Sequence, residues 1–168
     1  MSDVSQHDPA HVQGVPPAPP TTARYAEWQH RVFATLIDSA LILAVSVVGA
    51  VLGQLSFLLS LLLGMAGFAL ALYFGYLNGC RGQSPGKALL GLAVVREDGQ
   101  LLGGGLGVAR TLTLTVAGAL TFGLGAIVAV LWPLWDEPKR QALHDKVFGT
   151  VVLSGQRRIP LGADLFRP

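Results

Sequence analysis

A long apolar stretch near the start of the chain constrains its fold more than any other feature. Between Val32 and Leu52 the only charged residue is Asp38, and Arg31 stands immediately before the stretch. At about 1.5 Å per residue, such a helix reaches roughly 30 Å, the thickness of the hydrocarbon core of a bilayer. Arg31 and Asp38 are seven residues apart and share one helix face. We predict a membrane-spanning helix with an ionisable group inside it, which is by default a functional position.

A second apolar stretch, from about Leu55 to Leu77, follows the uncharged turn Gly53-Gln54 and predicts a second full span. Small residues recur every four positions in both stretches, which allows another helix to approach closely. These residues are Gly67, Ala71, Gly75 and Gly79 in the second stretch, and Gly49 and Gly53 in the first. The spacing predicts either packing within the chain or the seam of a homodimer.

The segment from Gly103 to Trp135 is too short for two ordinary spans and long for one. Basic residues lie on both sides of it, and basic loops favour the cytoplasm. They are Arg81, Lys87 and Arg96 before it, and Lys139, Arg140 and Lys146 after it. We therefore predict two short helices, about 105–120 and 123–135, that form a hairpin crossing thinly or re-entering. Both termini would then be cytoplasmic in a multi-pass protein of the cell membrane. The alternative is one third span.

Two short β-branched segments suggest a small sheet beside the helices. Residues 89–102 contain the turn signal Asp98-Gly99 between apolar runs, which predicts a β-hairpin. Residues 148–153 resemble residues 90–95 in pattern, so 91–95 is expected to pair with 150–153. The predicted fold class is thus an all-α membrane protein. It would be a small bundle with two full spans, a short helical hairpin and a small cytoplasmic β-hairpin or sheet.

The composition agrees with a membrane protein of one domain. Hydrophobic residues make up 51% of the chain and charged residues 13%. The slight basic excess lies beside the apolar stretches, which is not typical of a nucleic-acid surface. Cys80 is the single cysteine, so no internal disulfide or cysteine-built metal site is expected. No cofactor or metal is predicted. Residues 1–23 are proline-rich and predicted to be disordered, 24–153 form the membrane domain, and 154–168 are expected to be a loose C-terminal tail.

Two enzyme motifs occur after the second apolar stretch, but neither has the expected context. Residues 82–86 fit G-x-S-x-G, the nucleophile elbow, with His144 and Asp145 downstream. That motif requires a preceding strand, whereas here a membrane helix precedes it. Gly86-Lys87 resembles part of a phosphate loop, but Ala88 stands where a magnesium-binding Ser or Thr is needed. We therefore expect that the protein is not an enzyme.

Four groups of residues, in this order, resemble the RDD family of small bacterial membrane proteins. They are Arg31 with Asp38; the stretch 86–95 with Gly86, Lys87 and Gly91; Arg110; and the stretch 141–145 with His144 and Asp145, followed by 149–152. Asp145 corresponds to the family's second aspartate. Ala93 departs from the family pattern, which commonly has an arginine or lysine there. The resemblance implies a membrane-associated or transport role and names no substrate.

Two functions are compatible with these residues. The first is a small transporter or ion-coupled carrier, with Asp38 facing Arg110 and the threonines 111, 113 and 115. The second is a non-transporting module for assembly, lipid binding or regulation, whose charges lock helices together. The expected partners are the lipid bilayer, further copies of the chain and a small ion or solute.

The depth of the charges predicts their pairing. Side chains on a helix lean toward its N-terminus, so Arg31 leans away from Asp38. We therefore predict two pairs, Asp38 with Arg110 and Arg31 with Asp145. His144 is either a pH sensor or a solvated or capping group.

Overall fold

The structure, a computed structural model, describes residues 24–168. The prediction of a disordered proline-rich tail falls on residues 1–23 and lies outside the described residues. Helix α1 covers Trp28–Leu52, and helix α2 covers Phe57–Cys80. A short 3-10 helix, Gly53–Leu55, forms the turn between them. Both long helices are apolar and long enough to cross a membrane. Most of their large aliphatic side chains are exposed on the outside of the bundle.

Small residues form the seam between α1 and α2. A Cβ atom on Gly49 would lie 2.8 Å from the Cβ of Leu63, and one on Gly53 would lie 2.6 Å from the Cβ of Ser60. A side chain on Gly67 would overlap the hydroxyl of Ser46. The four-residue spacing of small residues therefore serves packing within the chain, one of the two expected alternatives.

Residues 103–135 form the expected helical hairpin and not a continuous third span. Helix α4 covers Gly104–Leu120 and helix α5 covers Leu124–Leu131, extended by the 3-10 turn Trp132–Leu134. The turn between them has positive φ at Phe122 (51°) and Gly123 (91°).

Both ends of this hairpin lie at one end of the bundle. The amide of Gly103 donates to the carbonyl of Gly79 at 2.9 Å, where α2 ends. The indole of Trp28, where α1 begins, donates to the carbonyl of Val130 at 2.8 Å. We call this end, where α1 begins and α2 ends, the charged end, because the charges of the membrane helices lie there.

The predicted two-stranded pairing is present. Strand β1, Ala93–Arg96, runs antiparallel to strand β2, Thr150–Leu153, with Ala93 opposite Leu153. The chain before α1 pairs with the other edge of β2, because the amide of Ala26 donates to the carbonyl of Val152 at 2.8 Å. Ala26, Ala34, Leu92, Val94 and Val152 form the small core that joins this sheet to α1.

The predicted β-hairpin over residues 89–102 is wrong. Leu89 and Leu90 belong to helix α3, Pro85–Leu90, which ends at Gly91 with φ 67°. The Asp98-Gly99 turn forms, but residues 100–103 directly after it are not a strand. The edge of β1 that a returning strand would use is partly occupied, because the amide of Val94 donates to the carbonyl of Gly82 at 2.7 Å.

The C-terminal segment is not the loose tail that was expected. Its amides at Gln156 and Ile159 donate to the carbonyls of Gly91 and Ala88, at 2.9 and 3.1 Å. Further on, the guanidinium of Arg81 donates to three backbone carbonyls, those of Asp164, Leu165 and Arg167. Leu165 is 3% exposed. The segment therefore folds back over α3 and the end of α2.

Candidate functional site

Asp145 is the centre of the charge network at the charged end. It lies in helix α6, Leu143–Val147, and its side chain is 1% exposed. Arg31 of α1 donates from Nη1 to Oδ2 at 3.1 Å, and Arg110 of α4 donates from Nε to Oδ1 at 3.1 Å and also from Nη2. The amide of Ala142 and the hydroxyl of Thr150 complete the shell of the carboxylate, at 3.1 and 3.2 Å. One carboxylate thus joins α1, α4, α6 and β2.

The environment of Asp145 keeps it ionised. Burial alone would raise the pKa of this carboxyl, but the neighbouring positive charges, above all Arg110, outweigh burial. The pKa of Asp145 therefore lies below its ordinary value. The group accordingly acts as a fixed negative charge and an acceptor of several hydrogen bonds.

Asp38 has a separate set of partners. Its Oδ2 accepts a hydrogen bond from the hydroxyl of Ser84 at 2.5 Å, and its Oδ1 accepts one from the amide of Gly86 at 2.7 Å. The ammonium of Lys87 lies 4.0 Å from Oδ2. Burial lowers the pKa of Lys87, against the attraction of Asp38. Asp38 therefore holds the first turn of α3 against α1.

Gly86 is required for this close contact. A side chain there would overlap the carbonyl oxygen of Ala34 in α1, and its Cβ would lie 3.0 Å from Oδ1 of Asp38. Gly91, the other glycine of the predicted signature, ends α3 in the left-handed conformation. Both signature glycines therefore have backbone roles, and Lys87 has the charged role.

Of the two predicted pairs, Arg31 with Asp145 is present and Asp38 with Arg110 is wrong. Arg110 contacts Asp145 and not Asp38. The prediction placed residues 78–87 in a segment that leaves the membrane and residues from 89 onward in a strand, whereas α3 turns back onto α1 and supplies nearer donors to Asp38. Ser84-Pro85 is a typical start of a helix and could have indicated α3. Asn78 was also missed, and its Oδ1 accepts the amide of Ser84 at 3.0 Å.

The side chain of His144 is 13% exposed, and its contact with Arg110 favours the neutral ring. Its Nε2 lies 2.9 Å from Nη2 of Arg110. A guanidinium can only donate, so Nε2 accepts and the proton of the ring resides on Nδ1. Burial, together with the charge of Arg110, lowers the pKa of His144 to about 3. The prediction that His144 is a solvated or capping group is therefore wrong, and titration of His144 near neutral pH is not favoured.

A cavity of about 210 Å³ opens beside these groups, between α1, α2, α4 and α6. Six ionisable residues of the site line it: Arg31, Asp38, Lys87, Arg110, His144 and Asp145. Thr111 and Thr115 line it as predicted, whereas Thr113 does not. Within residues 24–168, no group of three His, Cys, Asp or Glu side chains could hold a metal ion.

The partner of Asp38 can be tested by a double-mutant cycle. Asp38→Asn is expected to lower the free energy of unfolding by about 1.5–3 kcal/mol, because charged hydrogen bonds to Ser84 and Gly86 are lost. Combined with Lys87→Gln, it is expected to cost at least about 1 kcal/mol less than the sum of the two single effects. Combined with Arg110→Gln, it is expected to show weaker coupling. Unfolding is followed by circular dichroism in detergent; stronger coupling to Arg110 than to Lys87 would contradict these contacts of Asp38.

Comparison with known proteins assigns the chain to a family. The family profile described as the RDD family matches residues 25–149. A proline-rich antigen homolog of Mycobacterium tuberculosis is 40% identical over 92 residues, which are 54% of this chain and 36% of that protein. The proline-rich antigen of Mycobacterium leprae is 36% identical over 103 residues, which are 61% of this chain and 38% of that protein.

The chain thus spans only 36% and 38% of the length of these two curated relatives. No solved structure matches it. The profile covers most of the chain and includes α1 with Arg31 and Asp38, α4 with Arg110, and Asp145 in α6. The chain therefore belongs to the RDD family.

Proposed function

We propose that this chain is an integral protein of the cell membrane that binds a small ligand at one face of the bilayer and does not carry it across. One observation supports this function above all. The charges of the membrane helices gather around the cavity at the charged end. The opposite end contains the turns 53–56 and 121–123, which have no charged residue. A ligand site with a polar lining at one face fits this distribution.

Transport by a single copy is the weaker candidate. Its main support was Asp38 facing Arg110, but Asp38 contacts Ser84, Gly86 and Lys87 instead. Beyond the cavity, α1 and α2 pack closely at Gly49 and Gly53. A polar route to the opposite face would therefore have to form between several copies of the chain.

We also infer that the chain is not an enzyme of the G-x-S-x-G type. The residue in the position of a nucleophile, Ser84, is 0% exposed. Its hydroxyl donates to Asp38 and accepts from Lys87. A serine nucleophile needs an exposed hydroxyl on a sharp strand-to-helix turn, and Ser84 has neither.

The cytoplasmic face is the proposed location of the cavity. Basic residues flank the helical hairpin on both sides, and both ends of the hairpin lie at the charged end. Under the positive-inside rule this end faces the cytoplasm. Both ends of the described chain would then be cytoplasmic as well.

Labelling of single cysteines tests whether the cavity opens to one face of the membrane or to both, and to which face. In a Cys80→Ser background, Thr111→Cys places a thiol in the cavity, and Val116→Cys on the same helix places one on the exposed outside of the bundle. A membrane-impermeant maleimide is expected to label Thr111→Cys in inverted vesicles but not in intact cells. Val116→Cys, which faces lipid, is expected to react in neither.

Two results would contradict the proposal. Labelling of Thr111→Cys from both sides would indicate alternating access and favour a carrier. Labelling in intact cells alone would place the cavity at the outer face.

A further inference from the structure

Three buried hydrogen-bond donors on residues that line the cavity have no partner in the described part of the chain. Among residues 24–168, the buried side-chain nitrogens and oxygens without a partner are Nε and Nη2 of Arg31 and Nδ1 of His144. A guanidinium has no acceptor, and Nδ1 carries the ring proton because Nε2 accepts from Arg110. A buried donor without a partner is costly, so these three positions favour an acceptor.

The charges that line the cavity do not balance. Three are positive, on Arg31, Lys87 and Arg110, and two are negative, on Asp38 and Asp145. The surplus is one positive charge in a place where side chains are at most 13% exposed. An unbalanced buried charge is unfavourable unless a counter-ion accompanies it. A water molecule could accept from the donors but would leave this charge uncompensated.

We propose that the cavity binds one small oxyanion, a carboxylate or phosphate group, through the free donors of Arg31 and the Nδ1–H of His144. The inference rests on the proposed function as a ligand-binding module and names the class of ligand. A cation would add to the surplus positive charge and would bring no acceptor to the three donors. The oxyanion reaches the site either as a free solute or as part of a lipid headgroup, since the chemistry recognised is the same.

The size and shape of the site fit a small group. The volume of about 210 Å³ lies below the roughly 300–1,000 Å³ of sites for drug-sized ligands. Arginine suits oxyanions because its planar guanidinium presents several donors in fixed directions. Arg31 uses Nη1 for Asp145, so the anion would bind its remaining nitrogens without breaking the ion pair.

Binding is measured on the full chain in nanodiscs. In discs of phosphatidylcholine alone, acetate and inorganic phosphate are tested against chloride at equal ionic strength, by calorimetry and by the midpoint of thermal unfolding. In a second arm, discs contain one-fifth phosphatidylglycerol, and native mass spectrometry records lipid that stays bound. Soluble oxyanions that bind in the first arm indicate a free solute. Retained phosphatidylglycerol that phosphate displaces indicates a headgroup.

Two kinds of variant report on the donors. Arg31→Lys keeps the positive charge but removes Nε and Nη2, and is expected to weaken oxyanion binding at least tenfold. Because this variant also alters the Asp145 pair, a second pair of variants is placed at Thr35, one helical turn after Arg31 and also lining the cavity. A side chain at this position leans toward Arg31. Thr35→Glu supplies an internal carboxylate and is expected to bind the oxyanion at least tenfold more weakly than Thr35→Gln, whose side chain has the same size without the charge.

The outcomes separate the two proposals. Three results would overturn the oxyanion site. They are equal oxyanion binding by Thr35→Glu and Thr35→Gln, a preference of the protein for chloride or a cation, and a lack of binding in both arms. If neither a soluble oxyanion nor phosphatidylglycerol binds while Thr111→Cys is labelled only from the cytoplasmic side, the module function stands and the oxyanion inference fails. If oxyanions bind but labelling occurs from both sides, the oxyanion site stands and the module function fails.

Discussion

Replacement of Asp145 by asparagine is expected to lower the free energy of unfolding by about 3–5 kcal/mol, because it leaves buried guanidinium groups without their counter-charge. Arg31 and Arg110 both donate to this carboxylate, and both side chains are at most 11% exposed. The amide of Ala142 and the hydroxyl of Thr150 lose a charged acceptor at the same time. The measurement is chemical unfolding in detergent followed by circular dichroism, together with the yield of folded protein in the membrane.

The matched control is Asp98→Asn. Asp98 also contacts an arginine, Arg96, at 3.5 Å, but both side chains are about half exposed. Exposed ion pairs contribute little, so the control is expected to unfold within error of the native chain. If the two substitutions cost the same, Asp145 is not the centre of the network.

Replacement of Gly79 by alanine is expected to separate α2 from α4 and to cost about 1–3 kcal/mol, the usual range for overpacking. A Cβ at Gly79 would overlap the carbonyl oxygen of Gly103, which belongs to the backbone and cannot rotate away. The same crossing contains Gly75 and Gly107, where a Cβ on Gly107 would overlap the carbonyl of Gly75. Thermal unfolding in detergent is the measurement.

Gly64→Ala on the same helix is the matched control, because nothing lies within 4 Å of a Cβ at that position. Alanine favours a helix over glycine by about 1 kcal/mol, so this variant is expected to unfold at the same or a higher temperature. A loss of stability at Gly64 as large as at Gly79 would mean that helix composition, and not the close crossing, determines the effect.

The four longest helices, α1, α2, α4 and α5, could be predicted from the sequence because their signals are local. Length and apolar composition placed both long helices, and the uncharged turn at Gly53-Gln54 became the 3-10 turn Gly53–Leu55. The hairpin followed from the position of basic residues on both sides of residues 103–135, together with glycines in its middle. Spacing of small residues indicated close packing, but it could not say which helix would be the partner.

The sheet was predicted only in part, because strand pairing depends on distant residues. The similarity of 90–95 and 148–153 led to the correct pairing of β1 with β2. The Asp98-Gly99 signal correctly indicated a turn, and the error lay in assuming a strand after it. No residue near that turn indicates that the carbonyl of Gly82 occupies part of the edge of β1 by accepting from Val94.

At the site, one pairing was accessible to reasoning about depth and the other was not. Arg31 near the membrane surface and Asp145 just after the last membrane helix were expected to meet, and they do. Estimates of depth treat each helix as a straight rod, so they could not anticipate that α3 folds back and brings Ser84 and Gly86 to Asp38. Such a reversal depends on tertiary contacts, including the buried amide of Asn78.

The glycine crossing between α2 and α4 also determines which parts of the molecule can move. Backbone lies against backbone there, so no side chain can change rotamer to let the helices slide, and α2 with α4 forms one rigid unit. At the far end, α1 is fixed to α2 where Gly49 meets Leu63 and Gly53 meets Ser60. Widening of the cavity would therefore require a tilt of α1 about that far end, and such a tilt would have to break the contacts of Asp38 with α3 and of Arg31 with Asp145.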